Sequence, residues 1–303
     1  MRWRTIFSGK KVKKIAIVAH DSFAHGLFAS IIARNLHSQT EHKIFGALGA
    51  EDLANTPVED FELIYPVKKD LLEIVPYFLA ERFDLLINLS SDPTFQKLQD
   101  ILEPAFVIDQ NWHKRPSIHR FWAKENTPAN HVVDHLLNGL TNLGVKNDQS
   151  GLQLNLTAAK PVKLIEIFDP FIYSMMYHGG FVLYFIGKNG SCAEAQLVAH
   201  CASLSQPVLL VCRQEDDELA DAVAKACRPN VINAAVLSNL SYLPSLIEQC
   251  QMVFVCEQEL SHILGAFSKP VVLVEGIAPT VPIYFPVDKR HLLQSIALSE
   301  LPF

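Results

Sequence analysis

The sequence lacks any apolar run of the roughly 18 residues that a membrane-spanning helix requires. Its first residues also lack the apolar core of a signal peptide, so we expect a cytoplasmic protein. The six cysteines all lie in the second half, and none forms the CxxC pair typical of zinc or redox sites. We therefore predict reduced, mostly buried thiols.

An excess of positive charge is also missing, because the formal net charge is −6. Such a chain does not attract phosphate backbones over long range, which makes nucleic acid an unsuitable partner. One exception is the basic stretch from Arg2 to Lys14, which includes Trp3 and Phe7. It could contact an acidic membrane surface, giving a peripheral location at the inner membrane, although a solvated terminus is the simpler interpretation.

The pattern of strands and helices predicts two doubly wound α/β domains. With 303 residues the chain is long enough for two cores, and 49% hydrophobic residues are enough to fill them. Short apolar runs alternate with helical stretches, as in parallel sheets covered on both faces. The predicted strands are 14–19, 43–48, 61–65, 84–89 and 105–108, then 181–186, 208–212, 231–232, 252–256 and 271–275.

We place the boundary near residue 160, with domains 1–160 and 161–303, because Lys160-Pro161 resembles a linker. Ligands bind outside the carboxyl ends of the strands in such sheets. The loops that follow the strands should therefore line a cleft between the domains: 19–26, 89–95, 109–116, 187–192, 213–216, 256–262 and 275–280.

A motif near the carboxyl end gives the strongest indication of family. The stretch from Cys256 to Gly276 resembles the Asn-Asp-Thr-Gly-x-x-His-Leu-Ala-x-Ala-x-x-Lys-Pro signature of family nine glycosyltransferases. The positions in register are His262, Ala266, Lys269, Pro270 and Gly276. Further segments agree in order and spacing: Phe83–Leu89, Asn130–Gly144, Val231–Ala235 and Leu237–Gln251.

This resemblance implies a GT-B fold, in which two Rossmann-like domains face one cleft. The amino-terminal domain would hold the acceptor and the carboxyl-terminal domain the nucleotide-sugar. The family's best-known members transfer heptose from an ADP-sugar to lipopolysaccharide. The implied activity is inverting transfer of a heptose-like sugar to lipopolysaccharide or another glycan, including a lipid-linked one, with no cofactor and no metal.

Several of the family's chemical positions are altered here. Its Asp-Thr-Gly turn becomes Glu257-Gln258-Glu259, and added negative charge works against binding a diphosphate at a helix start. The Gly-Asp pair that supplies the family's proposed base is matched by His25-Gly26, and the phosphate-binding lysine has only Lys188 as a substitute. The alternative is therefore a catalytically silent relative that binds a glycan, nucleotide or protein.

The predicted catalytic residues are Asp21 and His25, which follow the first strand and could take a proton from an acceptor hydroxyl. Ser22 beside them is a candidate acceptor contact, as are His113, Lys114 and Arg115 in a basic, aromatic segment. A simpler interpretation is that Asp21 or Ser22 only caps the next helix.

The predicted nucleotide-sugar contacts lie after two strands of the second domain. They are Gly187, Lys188, Asn189 and Ser191 in one loop, and Glu257, Gln258 and His262 in the other. Backbone N–H groups of a polar, glycine-containing turn can bind phosphate, although an ordinary turn fits the same residues. His262 could contact the donor or serve as a buried structural histidine.

Overall fold

The computed structural model describes residues 12–50, 53, 56–109, 132–141, 145–154, 163–164, 168, 170–187, 193–237, 242–256, 260–274, 284–285 and 287–296. The chain divides into two compact units, Met1–Leu154 and Asn155–Phe303. Within the described ranges, none of the helices combines the length and apolarity needed to span a bilayer.

The first unit is built on a five-stranded parallel sheet with the order β3-β2-β1-β4-β5. Its strands are β1 Lys14–Ala19, β2 Lys43–Gly49, β3 Leu63–Val67, β4 Leu85–Asn88 and β5 Phe106–Asp109. Its α-helices are α1 Phe23–His37, α2 Val75–Glu81, α3 Phe95–Leu102 and α4 Val132–Leu140, and a 3-10 turn at Leu71–Ile74 precedes α2. Because β1 and β4 lie inside the sheet, both are buried and almost entirely apolar, apart from the half-buried Lys14 at the start of β1 and the buried Asn88 at the end of β4.

Helix α1 is almost wholly buried, since it packs on β1, β2 and α4. Ser22 is its N-cap, and the Ser22 hydroxyl accepts a hydrogen bond from the His25 backbone N–H at 3.2 Å. At its other end, the Arg34 guanidinium donates to both carboxylate oxygens of Asp148 at 3.0 and 3.2 Å. Helix α1 thus carries His25 on a rigid element.

The second unit contains a six-stranded parallel sheet with the order β11-β10-β9-β6-β7-β8. Its strands are β6 Val182–Phe185, β7 Val208–Val211, β8 Val231–Asn233, β9 Met252–Val255, β10 Val271–Val274 and β11 Leu293–Ile296. Its α-helices are α5 Pro170–Gly179, α6 Glu194–Ser203, α7 Asp217–Ala226 and α8 Leu243–Gln249. Shorter 3-10 helices are Gln214–Asp216, Ala235–Leu237, Leu260–Ala266 and Val287–Leu292.

The predicted α/β class with two doubly wound parallel sheets is confirmed, because every described strand pair is parallel. In each sheet the strand order reverses about the first strand of its unit, β1 or β6. This reversal produces a topological switch point, where the loops after two neighbouring strands leave in opposite directions and a crevice forms.

Candidate functional site

The candidate site lies at the switch point of the first sheet, beyond the carboxyl ends of β1 and β4. These strands are paired side by side, with Val18 opposite Asn88. The loop after β1 contains His20, Asp21 and Ser22, and the loop after β4 contains Ser91 and Asp92. Several polar side chains are therefore brought to one edge of the sheet from two separate parts of the chain.

Asp21 and His25 form a close carboxylate–imidazole pair. Oδ1 of Asp21 lies 2.7 Å from Nδ1 of His25, which is one helical turn further along the chain. The second carboxylate oxygen of Asp21, Oδ2, accepts hydrogen bonds from the backbone N–H and the hydroxyl of Ser91 at 2.7 and 2.6 Å. The two loops are thus joined through the Asp21 carboxylate.

The surroundings of Asp21 keep it ionised. Burial alone would raise the pKa of its carboxyl. The hydrogen bonds from His25 and Ser91, together with the His25 charge, lower the pKa by more than burial raises it, so the pKa lies well below its ordinary value. A carboxylate that is this acidic and already accepts three hydrogen bonds is a poor proton acceptor. The geometry therefore favours His25 over Asp21 as the base of this pair.

Asp21 determines which nitrogen of His25 can accept a proton. An ionised carboxylate only accepts hydrogen bonds, so in the neutral ring the proton resides on Nδ1 and the lone pair on Nε2. Among the described residues, Nε2 of His25 has no hydrogen-bond partner. The pair can thus act as an oriented general base, with the carboxylate holding the tautomer and stabilising the imidazolium that forms.

A second carboxylate–imidazole pair spans the same two loops. Nε2 of His20 lies 3.0 Å from Oδ2 of Asp92, and the two side chains are 8% and 21% exposed. Beneath them, the buried Asn88 side chain donates to Ser90 O and Asp109 Oδ1, both at 3.0 Å. This buried network fixes the loop after β4, from which Ser91 and Asp92 project.

Three members of this cluster, His20, Ser91 and Asp92, were not among the predicted site residues. The sequence does contain a signal for them, since polar residues directly follow two predicted strands. What it does not contain is the pairing of β1 with β4, because a sheet order cannot be inferred from periodicity. Ser22 is an N-cap, as its simpler interpretation proposed, and this role uses its oxygen only as an acceptor.

At the switch point of the second sheet the described residues are mostly apolar. Gly187 follows β6 and is buried, and His262 is buried in the 3-10 helix after β9. Strands β6 and β9 are neighbours, so the two loops start from the same edge. The other predicted residues lie outside the described ranges: Lys188, Asn189, Ser191, Glu257 and Gln258 in this unit, and His113, Lys114 and Arg115 in the first.

Next to this edge lies a buried group of neutral side chains in the core of the second unit. The Tyr184 hydroxyl and Nδ1 of His200 are 2.9 Å apart, and the Cys256 thiol donates to the Tyr184 hydroxyl at 3.7 Å. The Phe254 ring stacks on Tyr184 and meets His200 edge-on. Burial lowers the pKa of His200, so its imidazole is held neutral.

Two further features bear on chemistry. In the described part of the chain, no group of three or more His, Cys, Asp or Glu side chains is arranged to hold a metal ion. The five described cysteines, at positions 201, 212, 227, 250 and 256, are buried and form no disulfides with one another. Burial raises the pKa of the Cys250 thiol to about 12, which makes it unreactive.

The fold of both units is that of the GT-B glycosyltransferases. A family nine glycosyl transferase from Veillonella parvula superposes with a TM-score of 0.65 at 15% identity, covering 94% of this chain and 86% of that one. E. coli ADP-heptose lipopolysaccharide heptosyltransferase II gives a TM-score of 0.61 at 12% identity, covering 95% and 93% of the two chains.

E. coli heptosyltransferase WaaC, solved with ADP, also gives a TM-score of 0.61, at 13% identity with 95% and 93% of the chains covered. At these identities the likeness establishes a shared fold, and chemistry has to be argued from the site. No family model matches the sequence, and no curated protein matches it significantly.

Proposed function

We propose that this protein is a glycosyltransferase that moves a sugar from a nucleotide donor to a hydroxyl group of a glycan. The observation that carries the proposal is the Asp21–His25 pair, whose Nδ1–Oδ1 contact leaves Nε2 of His25 as the accepting nitrogen. The pair lies at a switch point, where sheets of this kind bind ligands, in a fold shared with solved glycosyltransferases.

The reaction is an inverting displacement at the anomeric carbon of the donor. The acceptor oxygen forms a bond to that carbon while the bond to the nucleotide's diphosphate oxygen breaks. The acceptor's proton passes to Nε2 of His25, and the electron pair leaves with the nucleoside diphosphate. Asp21 does not take the proton; it orients the ring through Nδ1 and stabilises the resulting imidazolium.

The second unit is the proposed donor side. A phosphate can be bound by the turn that contains Gly187, Lys188, Asn189 and Ser191, while Glu257, Gln258 and His262 contact the rest of the donor. An ADP-sugar is the preferred donor, since two solved structures of E. coli heptosyltransferase WaaC contain ADP and an ADP-heptose analogue. We propose that neither a metal nor a cofactor is needed.

The first unit is the proposed acceptor side, with Ser22, His113, Lys114 and Arg115 as further contacts. A lipopolysaccharide core or another lipid-linked glycan suits these basic groups, because its phosphates and hydroxyl groups pair with them. We place the reaction in the cytoplasm. Contact of the basic amino terminus with the inner membrane would bring such an acceptor within reach.

One observation favours a second candidate, a silent relative that binds a glycan, nucleotide or protein without catalysis. The family's Asp-Thr-Gly turn is replaced by Glu257-Gln258-Glu259, which adds negative charge where the family binds a diphosphate. A transferase would turn over a nucleotide-sugar and a silent relative would not, whereas either could bind a nucleotide.

The deciding experiment measures binding and turnover in the same preparation. A thermal-shift series with ADP, UDP and their sugar conjugates should identify a nucleotide that stabilises the folded chain by about 2.7 kcal/mol at 100 times its dissociation constant. Release of that nucleotide from its sugar conjugate is then measured for the parent and for His25→Ala. If a nucleotide stabilises the parent but the parent does not release it from its sugar conjugate, the protein is the silent relative. If none of these compounds stabilises the parent, neither a nucleotide-sugar transferase nor a silent nucleotide-binding relative is supported.

A further inference from the structure

His20 is anchored to its carboxylate through Nε2, whereas His25 is anchored through Nδ1. Nε2 of His20 faces Oδ2 of Asp92 at 3.0 Å, so the other ring nitrogen of His20, Nδ1, points away from that carboxylate. Nδ1 is buried, and among the described residues it has no hydrogen-bond partner. A buried polar atom without a partner destabilises the folded state and calls for an explanation.

Asp92 determines what Nδ1 can do. Oδ1 of Asp92 accepts the Thr94 backbone N–H at 2.7 Å, and the Asp92 backbone N–H donates to the Ser90 hydroxyl at 3.0 Å. Burial raises the pKa of Asp92, but the bonds from Thr94 and His20 lower it overall, so the carboxylate is ionised and only accepts hydrogen bonds. Nε2 of the neutral His20 ring therefore carries the hydrogen, and Nδ1 keeps its lone pair.

The chemistry of the surroundings selects the group that can satisfy this lone pair. The binding partner has to be a hydrogen-bond donor, which excludes a phosphate or carboxylate anion, and the Asp21 and Asp92 carboxylates nearby would repel such an anion as well. An ammonium group is disfavoured too, because it would lose its hydration in this enclosed place. The two carboxylates could not compensate for that loss, since Asp21 already accepts from Ser91 and Asp92 is paired with His20. A neutral hydroxyl group is small enough and loses the least on desolvation.

We propose that Nδ1 of His20 accepts a hydrogen bond from a hydroxyl group of a polyhydroxyl ligand, next to the hydroxyl that reacts at His25. This assignment deepens the proposed function, on which it rests, because it requires an acceptor that presents at least two hydroxyl groups to this edge of the sheet. The His20 side chain is 8% exposed and Nδ1 itself is buried, so the atoms that cover Nδ1 have to part to admit the hydroxyl.

The first test reads the tautomer directly in the full-length protein labelled with 15N-histidine. In the neutral form of the ring, the 15N spectrum should show His20 with hydrogen on Nε2 and a lone pair on Nδ1, with the His20→Gln spectrum assigning the signals. In Asp92→Asn the side-chain oxygen can still accept from Thr94, so an NH₂ group faces the ring and the hydrogen should move to Nδ1. Finding the Nδ1–H form in the parent overturns the proposal, and this parent measurement does not depend on any variant folding.

The second test uses methyl α-glucopyranoside as the polyhydroxyl probe and its fully O-methylated form as the control. With the glucoside, the Nδ1 resonance of His20 should move toward that of a protonated nitrogen, and the O-methylated form should leave it in place. His20→Gln keeps a donor for Asp92 but removes the Nδ1 acceptor, so it should bind the glucoside about 2- to 10-fold more weakly, the loss of one neutral hydrogen bond. His20→Asn instead places its amide near the position of Nδ1 and should bind more tightly than His20→Gln.

Equal shifts with both sugars, or unchanged affinity in His20→Gln, would overturn the hydroxyl contact. Neither result affects the nucleotide binding or the His25 turnover by which the proposed function is judged. Conversely, a shift at His20 in a protein that never turns over would leave the hydroxyl contact standing in a silent sugar-binding relative. If His20→Gln abolished turnover at saturating acceptor while His25→Ala did not, the two histidines would have exchanged roles and the assignment would be wrong.

Discussion

In the residues that the structure describes, the two switch points of this molecule share one topology and differ in chemistry. At the first, beyond β1 and β4, ionised carboxylates anchor imidazole rings, and Asp21 and Asp92 link two loops through hydrogen bonds of 2.6–3.0 Å. At the second, beside β6 and β9, the Tyr184 hydroxyl pairs with the His200 imidazole, and both rings pack against Phe254. The difference shows that strand order decides where a crevice forms, whereas the residues at the strand ends decide what it can do.

The largest expected effect tests whether the carboxylate–imidazole pair of Asp21 and His25 at the first switch point does chemistry. In a preparation that releases nucleotide from a nucleotide-sugar, His25→Ala should lower kcat by about 10²–10⁴, the usual contribution of a positioned base. His37→Ala is the control, because His37 lies on the same helix α1 and is exposed. Turnover of His25→Ala equal to that of the control would remove the Asp21–His25 pair from the mechanism.

The second prediction tests whether close packing stabilises the 3-10 helix Leu260–Ala266, which follows β9. A Cβ atom added at Gly265 would collide with the backbone oxygen of Tyr284, and a backbone atom cannot move aside cheaply. We expect Gly265→Ala to reduce the free energy of unfolding by about 1–3 kcal/mol, measured by urea denaturation. Gly179→Ala, which meets nothing within 4 Å, is the matched control. Equal stability of the two variants would contradict the packing argument.

The third prediction concerns acid stability of the first unit. Because the folded-state pKa of Asp21 is depressed, its stabilisation is fully present above the ordinary value of 3.8 and is lost as the pH falls below it. Asp21→Asn should therefore be less stable than the parent at pH 7 and approach it at low pH. Urea unfolding followed through methyl resonances of this unit measures the effect, with the exposed Asp100→Asn as control. A constant gap between parent and variant across this range would show that Asp21 is not a stabilising anion.

The smallest effect is expected in the second unit and in a different pH window. The pKa of His200 is lowered by burial, so below the ordinary value of 6.5 the unfolded chain binds a proton that the folded chain does not, and stability falls with the pH. His200→Asn can keep a hydrogen bond to Tyr184 without titrating near neutrality, so it should flatten the slope between pH 7 and 5. The control is His178→Asn at an exposed position, which should retain the pH dependence of stability. Unfolding is followed through methyl resonances of the second unit. An equally steep pH dependence in both variants would rule out His200 as its source.

Much of the fold could be predicted from sequence because buried parallel strands are continuous apolar runs. The prediction was least accurate at the sheet edges. The sequence predicts β3 at 61–65, whereas the structure has Leu63–Val67, including Pro66. An edge strand tolerates a proline because one side of its backbone needs no partner. Strand β11 was not predicted, because Gln294 and Ser295 interrupt its apolar pattern.

The candidate site was predictable only in part. Asp21 and His25 could be singled out because they follow an apolar run and lie four residues apart, which places them on one face of a helix start. Ser91 and Asp92 are about 70 residues away along the chain and contribute only because β4 pairs with β1. No local pattern encodes that pairing, since it depends on how the whole sheet is ordered.

By itself, then, the sequence determined the two α/β units, their parallel sheets and the close spacing of Asp21 and His25 after β1, because these depend on local periodicity and short spacings. Only the tertiary structure decided which atoms of these two side chains are already hydrogen-bonded. Three hydrogen bonds, two of them from Ser91, keep Asp21 an acceptor and leave the lone pair on Nε2 of His25. The same packing enclosed Nδ1 of His20, because the environment of a side chain is set by neighbours that are distant in sequence.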